Sequence, residues 1–326
     1  MSAKRKKIPA ALVLEADRVP RFGEREFPRP AAGEILVRVL AAPIVPLDRL
    51  CWTGRSYFGV PATPYVPGVQ GVGTVEDGPI APGTPVWFAT SAGMQPGDGS
   101  MRGWAAVPEQ DVVALPAGAD AVLVAALGLS AIAAWMALTG PGGLTAGDTV
   151  MVLGAGGVVG QAGIQLARTA GARRVIAVAR SAPAGEQALR LGADAAVTID
   201  PTDDVDALAA RMAEGCDGPV DLVLDPLFGV PAAAALRNLR GGGRLVNLGA
   251  SAGEISPIDS ATLRSRQLQV LGYTNNELSV QARLEALTHV VEEVLAGRLT
   301  VEHQRLPLAE VAQAWNRPGG RVVLVP

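Results

Sequence analysis

Apolar positions change their spacing once along the chain, and the change divides it. From Ala10 to about Pro116 they come in short runs: Ile35–Ala41, Val69–Val75, Pro85–Ala89 and Val112–Leu115. Proline or glycine stands in the gaps, as at Pro28, Pro30, Gly33, Pro61, Pro64, Pro67, Gly68, Pro82 and Gly83. Strand-length runs between residues that interrupt regular backbone predict a compact β domain with irregular loops.

Beyond Gly147 strand and helix patterns alternate. Val150–Leu153 reads as a strand and ends in glycines; Val159, Gly163, Leu166 and Ala170 then share one helical face, and Arg174–Ala179 is the next strand. Helix Gly185–Leu191, strand Ala195–Ile199, helix Asp203–Ala213 and strand Val220–Leu224 follow. Helix Pro231–Leu239 is expected to stop at Gly241-Gly242-Gly243, before strand Arg244–Leu248. Such βα alternation with short turns predicts an α/β fold with a doubly wound parallel sheet. The remainder predicts a strand over Leu268–Tyr273, an amphipathic helix over Val280–Ala296, a second helix over Pro307–Trp315 and a last strand over Arg321–Val325. Glu292, Glu293 and His289 are expected on the solvated face of the amphipathic helix.

The segment joining the two patterns, Ala121–Leu138, carries no charge, and none appears until Asp148. Its length would let it cross a bilayer. It is largely alanine, contains Gly128 and Ser130, and lacks aromatic or basic residues at its ends. Buried helices between two domains are therefore expected, with a membrane helix as the alternative.

Composition sharpens this picture. A chain of 326 residues is long enough for about two cores. The net charge of −3, with no long basic run beyond Lys4–Lys7, argues against a nucleic-acid partner. The apolar run Ala10–Leu14 is broken by Glu15 and is too short for a secretory signal. Two cysteines, Cys51 and Cys216, make no disulfide framework and suit a reducing cytoplasm.

Candidate chemistry starts at the glycines Gly154, Gly156, Gly157 and Gly160, which follow a strand and open a helix at Val158 and Val159. A turn without Cβ atoms lets a pyrophosphate approach the backbone, and the helix amino terminus offers free N–H groups to the anion. A dinucleotide site is the reading, against an ordinary tight turn. Ligands of such sheets bind beyond the carboxyl ends of the strands, where Asp225-Pro226 and Leu248-Gly249-Ala250 also stand. NAD sites usually carry a carboxylate about 20 residues after the glycines. Here Arg180 and Ser181 end the second strand instead. A guanidinium suits a 2′-phosphate, so NADPH is expected over NADH; the alternative is a solvated loop arginine.

Several motifs together resemble the medium-chain dehydrogenase/reductase family, over nearly the whole length. They are Pro30-Ala-Ala-Gly-Glu-Ile-Leu-Val-Arg-Val39, Pro46-Leu-Asp48 with Gly54, Pro67-Gly68-Val-Gln-Gly-Val-Gly73, Ala126-Leu-Gly-Leu-Ser-Ala131, Gly147-Asp-Thr-Val150, Gly154-Ala-Gly-Gly-Val-Val-Gly160, Asp221-Leu-Val-Leu-Asp-Pro226 and Gly242-Gly-Arg-Leu-Val246. Within the family the chain is most similar to the zinc-free quinone oxidoreductases. The resemblance implies a GroES-like β-rich catalytic domain over residues 1–120 and a Rossmann domain over residues 121–262. Residues 263–326 would supply the outer Rossmann strand and return to the catalytic domain. It also implies a substrate cleft between domains and a homodimer made through the outer strands near Leu268–Gly272.

Departures from the family pattern bear on chemistry. Pro46-Leu-Asp48 and Gly68-Val69-Gln70 stand where zinc members place ligands, and no four-cysteine lobe exists, so no zinc is expected. Val45 replaces an asparagine, Leu50 a tyrosine, and Ala184 and Ile199 a lysine and a tyrosine often found near the 2′-phosphate. Without a Lewis acid, an unactivated alcohol is a poor substrate, whereas a quinone or an α,β-unsaturated carbonyl is already electrophilic. A small-molecule substrate without a membrane partner is expected. The alternatives are a specialised enoyl or imine reductase and a non-catalytic NADPH-binding regulator.

The remaining candidates each have two readings. Tyr57 either donates to or stacks on an acceptor, or packs on its own loop. Trp52 lines the pocket or belongs to the core. Ser130 touches phosphate or carboxamide, or caps a helix. Asp48 is expected to cap a turn, Gln70 to hydrogen-bond locally, and Tyr273 and Asn275 to reach the cleft.

Overall fold

The structure, a computed structural model, describes residues 6–326, so Lys4 and Arg5 of the basic run lie outside the described residues. The chain forms two compact units, Met1–Gly128 with Val301–Pro326, and Leu129–Thr300.

The first unit opens with an antiparallel hairpin, β1 (Lys7–Leu12) and β2 (Arg21–Glu26). The pattern of β2, Arg-Phe-Gly-Glu-Arg-Glu, has no apolar alternation because the strand is mostly exposed, which is why its period carries no signal. Then come β3 (Glu34–Pro43), α1 (Pro46–Trp52), β4 (Gln70–Asp77), β5 (Pro85–Ala89), β6 (Trp104–Pro108) and β7 (Val112–Ala114). In β3, Val37, Val39 and Ala41 turn inward while Arg38 and Leu40 face out, the two-residue period of a half-buried strand. Helix α1 was not expected; its signal is Pro46 at the first helical turn, where a missing N–H costs nothing.

The uncharged segment is one helical run, α2 (Ala121–Thr139), broken at Gly128, where φ is 26° and ψ −123°. By length and composition it could cross a membrane, yet over half of it is buried within the protein.

The second unit contains β8 (Thr149–Leu153), α3 (Val158–Thr169), β9 (Arg174–Ala179), α4 (Ala182–Arg190), β10 (Ala195–Thr198), α5 (Val205–Gly215), β11 (Val220–Asp225), α6 (Gly229–Leu236), β12 (Leu239–Asn247), α7 (Ser260–Arg266), β13 (Gln269–Gly272) and α8 (Val280–Leu295). The six strands pair in parallel in the order β10-β9-β8-β11-β12-β13. The order reverses between β8 and β11, which makes their carboxyl ends the switch point of the sheet. Met151, Leu153, Ile176, Val178, Val223 and Leu245 fill the core on the sheet.

Three expectations here need correction. The helix drawn to Leu239 ends at Leu236, and the three glycines lie inside β12. The register against β11 jumps between Val220 and Leu222, from Leu239 to Arg244, so the glycines form an irregularity in the strand rather than a helix stop. Glu293 is buried, not solvated: its carboxylate takes Nε and Nη2 of Arg298 at 2.8 and 2.7 Å. His289 is half-buried, stacked on Trp135 with ring centroids 3.9 Å apart. It sits beside the buried stripe Ala286, Leu287 and Val290, whose edge a single-face pattern does not resolve.

The chain finishes in the first unit with β14 (His303–Pro307), α9 (Val311–Trp315) and β15 (Arg321–Val325). The helix expected over Pro307–Trp315 is shorter, because Pro307 ends β14 opposite Val325 and a 3-10 turn, Leu308–Glu310, intervenes. The first unit's main sheet runs β14-β15-β3-β4-β5-β7, with β6 also on β3. Its core gathers Ile35, Val37, Phe88, Met101, Trp315 and Leu324.

Candidate functional site

In the second unit the glycine turn is built for close approach. Gly154 has φ 64°, a conformation that favours glycine. A Cβ on Gly160 would stand 2.7 Å from Ala155 Cα, and one on Gly163 would overlap Leu224. Helix α3 can therefore lie against β8 and β11 only because these positions lack side chains. The cap of α3 is Gly157, which places no side-chain oxygen on the first N–H groups, those of Val158, Val159 and Gly160. Those donors are left for an anion.

Two residues that the pattern did not single out brace this end of the sheet, one at the glycine turn and one at the neighbouring strand ends. Gln161 is buried and donates Nε2 to the Gly156 carbonyl at 3.1 Å, which orients that peptide. Asn247, the last residue of β12, donates Nδ2 to Asp225 Oδ2 at 2.9 Å and to the Gly249 carbonyl at 2.7 Å. Asp225 also accepts from the N–H groups of Leu227 and Phe228. Burial pushes its carboxyl up, and these hydrogen bonds oppose the shift. A polar residue at the last position of an apolar strand was the available signal for Asn247. The ends of β11 and β12 are thereby tied together, and Leu248, Gly249 and Ala250 emerge partly exposed beyond them.

Arg180 and Ser181 follow β9, and both are exposed. Ser181 is the cap of α4 but makes no side-chain cap bond. Ala184 lies beside the turn, its Cβ 3.0 Å from where a Gly156 Cβ would be. A cation and a hydroxyl that makes no cap bond thus stand next to the glycines, and no carboxylate lies between Ala179 and Ala184 in sequence. That donor set fits a dinucleotide carrying a 2′-phosphate.

Ser130 is buried two residues past the break at Gly128, in the first turn of the continuing helix. The start of that turn is anchored by Asn275, whose Nδ2 donates to the Leu129 carbonyl at 2.9 Å; the Tyr273 hydroxyl donates to Asn275 Oδ1 at 2.7 Å. Burial raises the Tyr273 phenol well above its ordinary range.

In the first unit, Asp48 is a structural carboxylate. Oδ2 accepts from Val45 N at 2.9 Å, and Oδ1 accepts from Gly68 N and Val69 N at 3.1 and 2.9 Å. It is fully enclosed. Burial pushes it up to about 6, against the pull of those N–H groups and of the buried Arg321 guanidinium. Gln70 is also enclosed: Oε1 accepts from Trp87 Nε1 at 3.0 Å, and Nε2 donates to the Ala125 carbonyl at 3.4 Å. A Cβ on Gly128 would overlap this side-chain amide, so the helix break and Gln70 fit each other.

Zinc does not fit this donor set. Among the described residues no cluster of three or more His, Cys, Asp or Glu side chains could hold a metal. Where ligands would fall, Asp48 and Gln70 are held by protein partners, and Val45 and Val69 offer no donor side chain.

Trp52 belongs to the core of this unit. Its Nε1 donates to the Arg18 carbonyl at 2.7 Å, and its ring meets Trp315 edge-on at 5.7 Å. Tyr57 is 75% exposed, with its ring 4.3 Å from that of Phe58. The structure therefore separates the two pocket candidates, one bound into packing and the other presented to solvent.

The chain is similar over most of its length to several known proteins. The zinc-binding dehydrogenase family matches residues 158–293. A zinc-type alcohol dehydrogenase-like protein of Schizosaccharomyces pombe is 29% identical over 308 residues, 93% of this chain and 86% of that protein. The quinone oxidoreductase of Lama guanicoe is 27% identical over 334 residues, 96% of this chain and 98% of that one. The quinone oxidoreductase of Thermus thermophilus, whose crystal structures include its complex with NADPH, superposes with a TM-score of 0.82 at 28% identity, covering 98% of this chain and 100% of that one.

Proposed function

Since the chain belongs to the medium-chain dehydrogenase/reductase family and is quinone oxidoreductase-like, we propose that it is an NADPH-dependent, zinc-independent reductase of quinones or α,β-unsaturated carbonyls. The observation that carries this reading is the uncapped amino terminus of α3 beside an exposed Arg180 and a Ser181 hydroxyl that makes no cap bond. The backbone N–H groups of Val158, Val159 and Gly160 would hold the pyrophosphate, Arg180 and Ser181 the 2′-phosphate, and Leu248, Gly249, Ala250 and Ser130 the remainder. When bound, the nicotinamide supplies hydride. The protein's part is to orient the reactants and to set the charge around them. With Asp48 and Gln70 held by protein partners, the chain offers no Lewis acid at these positions, so the acceptor must be electrophilic beforehand. Tyr57 presents an exposed ring on which a planar acceptor can stack. The proton comes from solvent or from a nearby hydroxyl.

Residues 1–120 form the catalytic domain and 121–262 the dinucleotide domain. Residues 263–326 then add the outer strand and the return. The protein works as a homodimer, for which β13 is suited: among the described residues it pairs only with β12, and it exposes Val270. A cytoplasmic setting agrees with Cys51 and Cys216 being free thiols. A specialised enoyl or imine reductase is the second reading, favoured by the buried Val45 and the exposed Leu50, which stand where the resemblance implies an asparagine and a tyrosine. Purified protein should oxidise NADPH in the presence of a simple quinone or enone. Absence of turnover across a broad acceptor panel, with NADPH still bound tightly, would replace the enzyme with a non-catalytic NADPH-binding protein.

A further inference from the structure

The first unit holds a cavity that the proposed chemistry does not use. It is a half-open hollow of about 760 Å³, a volume typical of small-molecule sites. Four cations line it, Lys6, Arg25, Arg29 and Arg102, against two carboxylates, Glu26 and Asp98. The deepest cation is Arg102, only 4% exposed. Its Nη1 donates to Asp98 Oδ2 at 2.8 Å, and its Nη2 donates to the Glu26 carbonyl. The same Asp98 oxygen also accepts Arg25 Nε at 2.8 Å, and Oδ1 accepts from Val66 N at 3.0 Å. One carboxylate therefore serves two guanidinium groups, and a full positive charge is left over.

With Lys6 and Arg29 set against the Glu26 carboxylate as well, the lining carries a net excess of two positive charges. Among the described residues Arg29 makes no hydrogen bond or ion pair. Among the same residues the Lys6 ammonium has aromatic faces for partners, 4.9 Å from the Phe27 centroid and 5.6 Å from that of Trp104, whose rings are 5.6 Å apart. Like charges gathered in one concavity repel each other and focus a field that draws in counter-ions. A ligand of opposite charge relieves that repulsion, and guanidinium forks match phosphate and carboxylate oxygens in geometry. We propose that this cavity binds a compact polyanion, a small molecule presenting two or more phosphate or carboxylate charges, at a site separate from the nicotinamide nucleotide. Arg25 and Arg29 contact its oxygens, Lys6 supplies a further charge, and Arg102 with Asp98 holds Arg25 in place.

The test uses the full chain at low ionic strength, with inorganic pyrophosphate and citrate as phosphate and carboxylate probes, by isothermal titration calorimetry with and without saturating NADPH. Saturable binding of at least one probe is expected, and the stronger of the two assigns the chemistry. Arg29→Ala and Lys6→Ala should each weaken it by about 5- to 10-fold, since each removes one charged contact at a partly solvated site. NADPH affinity and thermal stability should not change in these variants, because both side chains are exposed and lie outside the dinucleotide residues. Absence of binding by both probes, binding unaltered in both variants, or binding abolished by saturating NADPH would each overturn the proposal. Because NADPH binding is read separately, failure here leaves the reductase reading standing, and failure of that reading leaves this one standing.

Discussion

Gly160→Ala tests whether the seat of α3 on β8 makes the dinucleotide site. An added Cβ would lie 2.7 Å from Ala155 Cα and would press still harder on the Gly154 carbonyl. Ordinary contact begins at 3.4 Å, and both neighbours are backbone. Helix α3 must then retreat by roughly 0.7 Å or more, the cost of overpacking being about 1 to 3 kcal/mol of stability. The retreat carries the N–H groups of Val158, Val159 and Gly160 away from the anion position. Because pyrophosphate is common to both nucleotides, NADPH and NADH should weaken in parallel, by about tenfold for each 1.4 kcal/mol of binding energy removed. Fluorescence titration of both nucleotides, with urea unfolding to read stability, checks this. Unchanged nucleotide affinity in a destabilised variant would refute the reasoning, as would a loss confined to NADPH.

Arg180→Ala should do the opposite and separate the two nucleotides. NADPH should lose about 1 to 2 kcal/mol more than NADH, a charged hydrogen bond discounted for exposure, and equal losses would show that Arg180 does not read the phosphate. Asp48 should impose a pH dependence on stability. Burial raises it in the folded protein from 3.8 to about 6, so its contribution is complete below about pH 4 and is lost as pH rises through 6. The stability of the wild type minus that of Asp48→Asn should therefore fall by about 3 kcal/mol across that window, and a flat difference in denaturant titrations would reject the assignment. Finally, exhaustive chelation should leave NADPH-dependent reduction intact with substoichiometric zinc by metal analysis; activity abolished by the chelator and restored by zinc would contradict the donor-set argument.

How much of this was legible in advance depended on the range of each signal. The strands Pro85–Ala89, Arg174–Ala179 and Arg321–Val325 lie where the apolar runs placed them, because burial on one or both faces writes directly into local spacing. The glycine turn was legible for the same reason: strand, break and helix start are neighbours in sequence. The hairpin strand β2 has no such signature, since an exposed strand needs no alternation. The three glycines of β12 resemble a helix stop because the register jump that absorbs them involves β11. Glu293 and His289 look solvated on a helical wheel, but Arg298 and Trp135 claim them.

The order of residues alone determined the alternating α/β half, the β-rich half, the site of the glycine turn and the missing carboxylate after β9. Only tertiary structure decided what the polar side chains do. Asp48 takes N–H groups 20 and 21 residues on, Asn247 reaches a carboxylate 22 residues back, and Asn275 holds a carbonyl 146 residues away. Backbone conformation follows from interactions within a few residues, whereas the environment of a buried polar group is set by whichever distant segment folds against it.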